Sequence, residues 1–334
     1  MNGKRWGALG IASFLFIFSL FTSFIPEREQ PEDNLSTFLN EFGEGFSETV
    51  IEEGTGMTTK KIVVLNVDGV IQDTGEDALF AEGYHHREFL AMLDEAAEDD
   101  NVKGILLRVN SPGGGVMESA EIHEKIVEIK EEYNKAVYVS MGSLAASGGY
   151  YISAPATKIV AAPETLTGSL GVIMQSINFS EFANELGVKF ETIKSGKYKD
   201  IMSSSREMTE DERKILQELV DESYEGFVDV IANGRNMTED EVKKIADGRI
   251  YSGSQAKELN LVDELGFFDD ALITMKEDLD LKNAKVVEYE SSMGLNSLFK
   301  MSATKIFSGE FELISMYKMA TNPNTSRLMY LYTE

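Results

Sequence analysis

Ser147 sits in a run of small residues, Gly142-Ser143-Leu144-Ala145-Ala146-Ser147-Gly148-Gly149, and no histidine follows it in the chain. A serine oxygen attacks a carbonyl only when a base removes its proton, and histidine is the usual recipient. The three histidines, His85, His86 and His123, all come earlier. The order Ser, acid, His of an α/β-hydrolase is therefore missing, and so is its G-x-S-x-G elbow, because Ala145 stands where the first glycine belongs. Lysine is the remaining base, since burial can strip its charge and let it accept a proton as imidazole does. Three lysines lie in Lys194-Ser195-Gly196-Lys197-Tyr198-Lys199-Asp200, after a predicted strand. Spacing does not choose among them. The one that acts as base has to move from about 10.4 toward neutrality. A net charge of −26 opposes that shift. Its pocket has to be poor in water and free of carboxylate contacts.

A second constellation runs from Ile105 through Ser111-Pro112-Gly113-Gly114-Gly115-Val116 and reads as strand, turn and helix. Successive glycines at a strand end leave backbone N–H groups able to converge on one spot, which suits an oxyanion. Neither G-x-x-x-x-G-K-[ST] nor G-x-G-x-x-G is present. A tight βα turn would also account for these glycines, and a helix N-cap would also account for Ser147. Taken singly, the residues leave both pairs of alternatives open.

The elements that must position these groups alternate. Strands are predicted at 62–67, 104–110, 136–141, 158–162, 171–175, 189–194 and 286–289. Helices are predicted at 89–97, 117–133, 147–154, 179–186, 209–232, 238–246, 254–259 and 269–279. That order argues an α/β fold with a parallel sheet. The 334 residues, 43% of them apolar, can build a core. With 31 basic against 57 acidic residues the chain repels phosphates, so nucleic acid is not an expected partner. The absence of cysteine removes thiol nucleophiles, thiolate zinc sites and disulfides.

Residues 6–25 are uncharged, and as a helix they span about 30 Å, a bilayer's hydrocarbon core. Lys4 and Arg5 precede them, which places residues 1–5 in the cytoplasm and the rest outside. A cleaved signal peptide is the competing reading, but no A-x-A triplet closes the run. Residues 26–60 form an acidic tether in which Leu35, Phe38, Leu39, Phe42 and Phe46 repeat at helical spacing. Residues 61–290 form the catalytic domain and 291–334 a C-terminal tail.

Taken together, the Ser-Pro-Gly-Gly-Gly turn, the run 142–151, Thr167-Gly168-Ser169-Leu170-Gly171-Val172, the loop 195–200 and Gly248-Arg249-Ile250-Tyr251-Ser252-Gly253 resemble the signal peptide peptidase A family. This is a family of membrane-anchored serine–lysine peptidases with the crotonase-like, β-β-α repeat fold of the Clp protease superfamily. The resemblance covers about residues 61–279. It implies Ser147 as nucleophile, Lys199 as general base and Ser169 as the residue that orients the lysine amine. It implies the amides of Gly114 and Gly148 as oxyanion donors, with no cofactor and no metal. Because the chain is a short, single-copy form, the resemblance also implies a homo-oligomeric ring in which Ser147 and Lys199 come from neighbouring chains. The implied substrates are apolar, signal-peptide-like peptides. The apolar tail ending Tyr332-Thr333-Glu334 is expected to reach such a groove as a competitor or self-cleavage site.

Two other functions compete. A coenzyme A hydratase or isomerase would need a carboxylate near the glycine turn, and Glu118 is the nearest. A non-catalytic membrane scaffold would use the acidic domain for binding alone. His85 and His86 are expected in a surface loop, and His123 on a helix beside Glu124.

Overall fold

Strands whose middle residues are apolar without alternation require cover on both faces. The computed structural model, which describes residues 46–56, 58–74, 84–291 and 328–332, supplies that cover. In chain order it contains β1 (Phe46–Glu52), β2 (Lys61–Asp68), α1 (His86–Glu98), β3 (Val102–Ser111), β4 (Gly113–Gly115), α2 (Val116–Glu131), β5 (Ala136–Ala146) and α3 (Gly148–Ser153). There follow β6 (Lys158–Ala161), β7 (Leu166–Gly168), α4 (Ser180–Glu185), α5 (Glu210–Arg235), α6 (Glu239–Ile245) and β8 (Ile250–Ser252). The last elements are α7 (Gly253–Glu258), β9 (Glu264–Leu265), α8 (Phe268–Asp278), β10 (Lys285–Ser291) and β11 (Met329–Leu331).

The main sheet runs β1-β10-β2-β3-β5-β6-β9, with β7 paired to the far end of β5 and β8 paired to β7. Every pairing is parallel except β1 with β10 and β7 with β8. The α/β architecture with a parallel-rich sheet is thus as expected. Successive strand residues face opposite ways. Val63, Leu65, Ile105, Leu107 and Val139 meet Leu93 of α1, Ile122 of α2, Ile152 of α3 and Phe227 of α5. Ile62, Val64, Leu106, Tyr138 and Val160 meet Leu272 and Met275 of α8. Each such side chain, fully buried, stabilises the fold by about 1.5–3 kcal/mol.

Four expectations need correction. Residues 171–175 form no strand and contribute a single bridge, Ile173 to Met329. Residues 189–194 are exposed coil, because residues that favour strand make one only where another strand pairs with them. Phe46, read as the last residue of a helix, instead opens β1, which pairs antiparallel with β10. His86 is buried and begins α1, its ring nitrogens 2.7 Å from the Tyr84 hydroxyl and 2.6 Å from Glu121 Oε2. The predicted membrane span, 6–25, lies outside the described residues. Among the described residues no helix is long and apolar enough to cross a membrane.

Candidate active site

β5 ends beside β7, with Ala145 opposite Thr167 and Ala146 opposite Gly168. Ser147 and Ser169 are therefore the next residues of two paired strands. Both have positive φ, 53° and 51°, a strained conformation for a residue with a Cβ. Hydrogen bonds hold each in place: the Ser147 N–H donates to Gly168 O at 2.8 Å, and the Ser169 N–H to Arg249 O at 2.8 Å. Ser147 stands at the N-cap of α3, yet its side chain makes no capping bond. Its Oγ is buried and, among the described residues, has no hydrogen-bond partner. A serine kept for capping would use that oxygen. This one is left poised.

The glycine turn meets α3 at the same place. Gly113 has φ +97°, and a methyl built there would fall 2.5 Å from the Gly148 nitrogen and 2.0 Å from the Tyr330 carbonyl oxygen. A methyl on Gly148 would fall 3.0 Å from Gly113 Cα and 3.1 Å from the Gly114 nitrogen. The predicted donors Gly114 and Gly148 are thus brought together. Strand β11 lies antiparallel on β4, Tyr330 opposite Gly114. The Tyr332 N–H donates to Pro112 O at 2.8 Å and the Val116 N–H to Leu328 O at 3.4 Å. That phase makes Gly114–Tyr330 a hydrogen-bonded pair, so the Gly114 amide faces the Tyr330 carbonyl. Backbone amides of two adjoining turns close to one peptide carbonyl are the kind of arrangement that can stabilise an oxyanion.

The Gly113→Ala substitution would fill this spot as well as strain its backbone. We expect kcat/KM to fall by about 10²–10³, the loss that follows removal of one oxyanion donor. Initial rates on a chromogenic peptide decide it, and a variant within threefold of the parent would show that nothing reacts there.

Several contributors are not evident from the sequence. Ser111 Oγ accepts the Gly113 N–H at 3.0 Å, a serine turn that sets the glycine strand, legible in principle from Ser two residues before Gly. Ser119 Oγ donates to Gly115 O at 2.8 Å and lies against Gly148. Ile71 braces the other edge of β4: its N–H donates to Gly113 O at 2.9 Å and its carbonyl accepts the Gly115 N–H at 2.8 Å. Tyr330 is 2% exposed. It is stacked on Tyr151 at 4.8 Å, tilted on Phe227 at 4.6 Å, and its hydroxyl donates to Ser223 O at 3.1 Å. Only long-range packing assembles that pocket. Its burial pushes the Tyr151 phenol up to about 12.

Lys199 is not brought to Ser147 within the chain. It is exposed, in a segment whose side-chain hydrogen bonds, ion pairs and ring contacts, among the described residues, stay inside residues 178–212. This arm carries exposed apolar side chains, among them Phe182, Leu186, Phe190 and Ile193. His123 is half-buried against Tyr151, and burial lowers its pKa. Glu118, the carboxylate a coenzyme A reaction would need, is buried and accepts the Asp73 N–H at 3.0 Å. Among the described residues no cluster of side chains could hold a metal ion.

Comparison with known proteins points the same way. The profile of peptidase family S49 matches residues 129–282. An Enterococcus faecium protein named "Putative signal peptide peptidase SppA" is 42% identical over 345 residues, covering 99% of each chain. "Protease 4" of Salmonella typhi is 36% identical over 200 residues, 60% of this chain and 32% of its own. "Serine protease SPPA, chloroplastic" of Arabidopsis thaliana is 30% identical over 237 residues, 70% of this chain and 34% of its own.

Proposed function

Because the chain belongs to the signal peptide peptidase A family of serine peptidases, we propose that it is a membrane-anchored endopeptidase working through Ser147 and Lys199. The observation that carries this is the unpartnered, buried Ser147 Oγ on the residue before Gly148, which packs directly against the Gly113-Gly114 turn. In the proposed reaction the neutral Lys199 amine takes the Ser147 proton while Oγ bonds to the carbonyl carbon. The Gly114 and Gly148 amides hold the resulting oxyanion. The lysine ammonium then gives its proton to the leaving amine as the C–N bond breaks. Lys199 next takes a proton from a water whose oxygen attacks the acyl carbon, and returns that proton to Ser147 Oγ as the acyl C–Oγ bond breaks. Ser169 orients the lysine amine.

The placement of Lys199 on a self-contained arm with exposed apolar side chains supports its delivery from a neighbouring copy in a homo-oligomeric ring. The fold we assign is the crotonase-like one of the Clp protease superfamily, anchored by residues 6–25 with the catalytic domain outside the cytoplasm. The aromatic walls of the Tyr330 pocket favour apolar peptides such as remnant signal peptides. The test is cleavage of an apolar, tyrosine-containing peptide across pH by the full chain in detergent, together with mass analysis after an acyl-directed probe. Activity should rise with pH and the probe should sit on Ser147. A silent enzyme with unlabelled Ser147 would move the scaffold reading ahead.

The tail adds a second element to this proposal. Residues 328–332 lie as a strand between β4 and Ile173, whose N–H and carbonyl bond the Met329 carbonyl and N–H at 3.0 Å each. This is how an extended peptide adds to a sheet edge. This strand addition supports the reading of the tail as an internal competitor for substrate. A tethered competitor acts at an effective concentration in the millimolar range, so deleting residues 320–334 should lower the apparent KM by roughly tenfold with kcat little changed. Unchanged kinetics and an unchanged intact mass of the parent would dispose of the idea.

A further inference from the structure

A lysine works as a base only if no carboxylate holds it protonated. Asp200 adjoins Lys199, and its carboxylate is occupied elsewhere. Arg206 takes it with a fork, Nε 2.8 Å from Oδ2 and Nη2 2.7 Å from Oδ1, and Lys194 Nζ lies 2.5 Å from Oδ1. The guanidinium also spans to Glu212, Nη2 2.5 Å from Oε1 and Nη1 2.9 Å from Oε2. Glu212 is buried in the first turn of α5, where it closes a capping box with Thr209. Arg206 Nη2 further donates to the Asp200 backbone carbonyl at 3.0 Å. The residue next to the proposed base is therefore fastened to the start of a long helix. A further carboxylate of α5, Asp211, pairs with Lys197 at 2.7 Å, and Lys197 in turn lies over the Tyr198 ring.

From this geometry we infer that Arg206 is a positioning residue for Lys199: it withholds the Asp200 carboxylate from the base amine and fixes the base loop on α5. The inference rests on the proposed role of Lys199. The Arg206 guanidinium also holds the Asp200 and Glu212 carboxyls below the ordinary carboxylate range, consistent with charges kept permanently paired. Without Arg206 a cation is lost and the Asp200 carboxylate keeps only Lys194, leaving Oδ2 uncovered, and both changes favour the ammonium form of Lys199. The acid limb of the rate profile therefore moves to higher pH.

The experiment is the pH dependence of kcat/KM for the full chain in detergent, with Arg206→Ala, Arg206→Lys and Arg206→Ala combined with Asp200→Asn. In Arg206→Ala the limb should move up by about one unit or more. Activity at pH 7 then drops about tenfold per unit, and the high-pH plateau returns to within a few-fold of the parent. Arg206→Lys, which keeps the charge and loses the fork, should shift the limb the same way by less. Adding Asp200→Asn should bring it back toward the parent position. A uniform loss at every pH, with the limb unmoved, would overturn the inference and leave Arg206 a structural residue. Should Arg206→Ala lack a cooperative melt, the limb of Arg206→Lys decides. Activity remaining in Lys199→Ala would instead overturn the base assignment. A dead Lys199→Ala with unmoved limbs overturns this inference alone.

Discussion

Replacing Ser147 by alanine should lower kcat/KM by about 10⁴–10⁶ and leave the fold intact, a separation that the geometry makes unusually clean. The magnitude follows from losing the proposed nucleophile while the proposed oxyanion amides and groove would still bind substrate, which leaves a residual rate above that in water. The intact fold follows from the state of the side chain. Ser147 Oγ has no hydrogen-bond partner among the described residues, so its removal strands no donor or acceptor and the usual penalty for breaking a buried pair is absent. The strained φ of 53° is as strained for alanine as for serine, so that cost is unchanged. The bonds that hold this backbone, from the Ser147 N–H to Gly168 O and from the Tyr151 N–H to Ser147 O, each 2.8 Å, involve no side chain. A thermal melt should therefore overlay the parent within a few degrees while the turnover of an apolar peptide disappears. A variant retaining a tenth of the parent rate would remove Ser147 from the mechanism. A collapsed melt would mean that the hydroxyl supports the fold in a way the hydrogen-bond pattern does not reveal.

Legibility of the fold in the amino-acid sequence divides along physical lines. The central strands are legible because residues such as those at 62–67 are apolar on both faces, a pattern that local sequence alone carries. The long helix α5 is legible from its period and from Thr209 and Glu212, which form a capping box. Strands that exist only through a distant partner are not. β1 depends on β10, more than 230 residues later, while residues 189–194 have strand-like composition and no partner. The site shows the same divide. Ser147, Gly114 and Gly148 lie on two turns that adjacent parallel strands bring together, so strand order carries them to one place. The pocket around Tyr330 draws on α3, α5 and the tail, and no spacing rule links Tyr151, Ser223 and Phe227. The burial of His86 escapes the sequence for a like reason: it comes from Tyr84 and Glu121, the latter on a separate helix.

Lys199→Ala should be as inactive as Ser147→Ala, and Lys199→Arg should fail to rescue it, because a guanidinium stays charged and cannot accept the serine proton. The larger consequence lies in mixing the two dead chains. Lys199 sits on an arm whose side-chain polar and ring contacts, among the described residues, are internal to residues 178–212, while Ser147 Oγ has no hydrogen-bond partner among them. If the arm serves a neighbouring copy, a Ser147→Ala chain lends its intact Lys199 to the intact Ser147 of a Lys199→Ala chain. Co-assembled from equal amounts, such chains should recover roughly a quarter of the parent activity, the share of sites that random order in a closed ring leaves complete. If instead the arm folds back onto its own Ser147, every site keeps one defect and the mixture stays as inactive as its parts. The experiment requires subunits mixed before assembly, by co-expression, with the ratio of the two chains read by mass. Recovery that follows the product of the two chain fractions would fix the base as a neighbour's gift. Silence at every ratio, from oligomers of normal size, would place both residues in one chain and require the arm to close over the groove that β11 now fills.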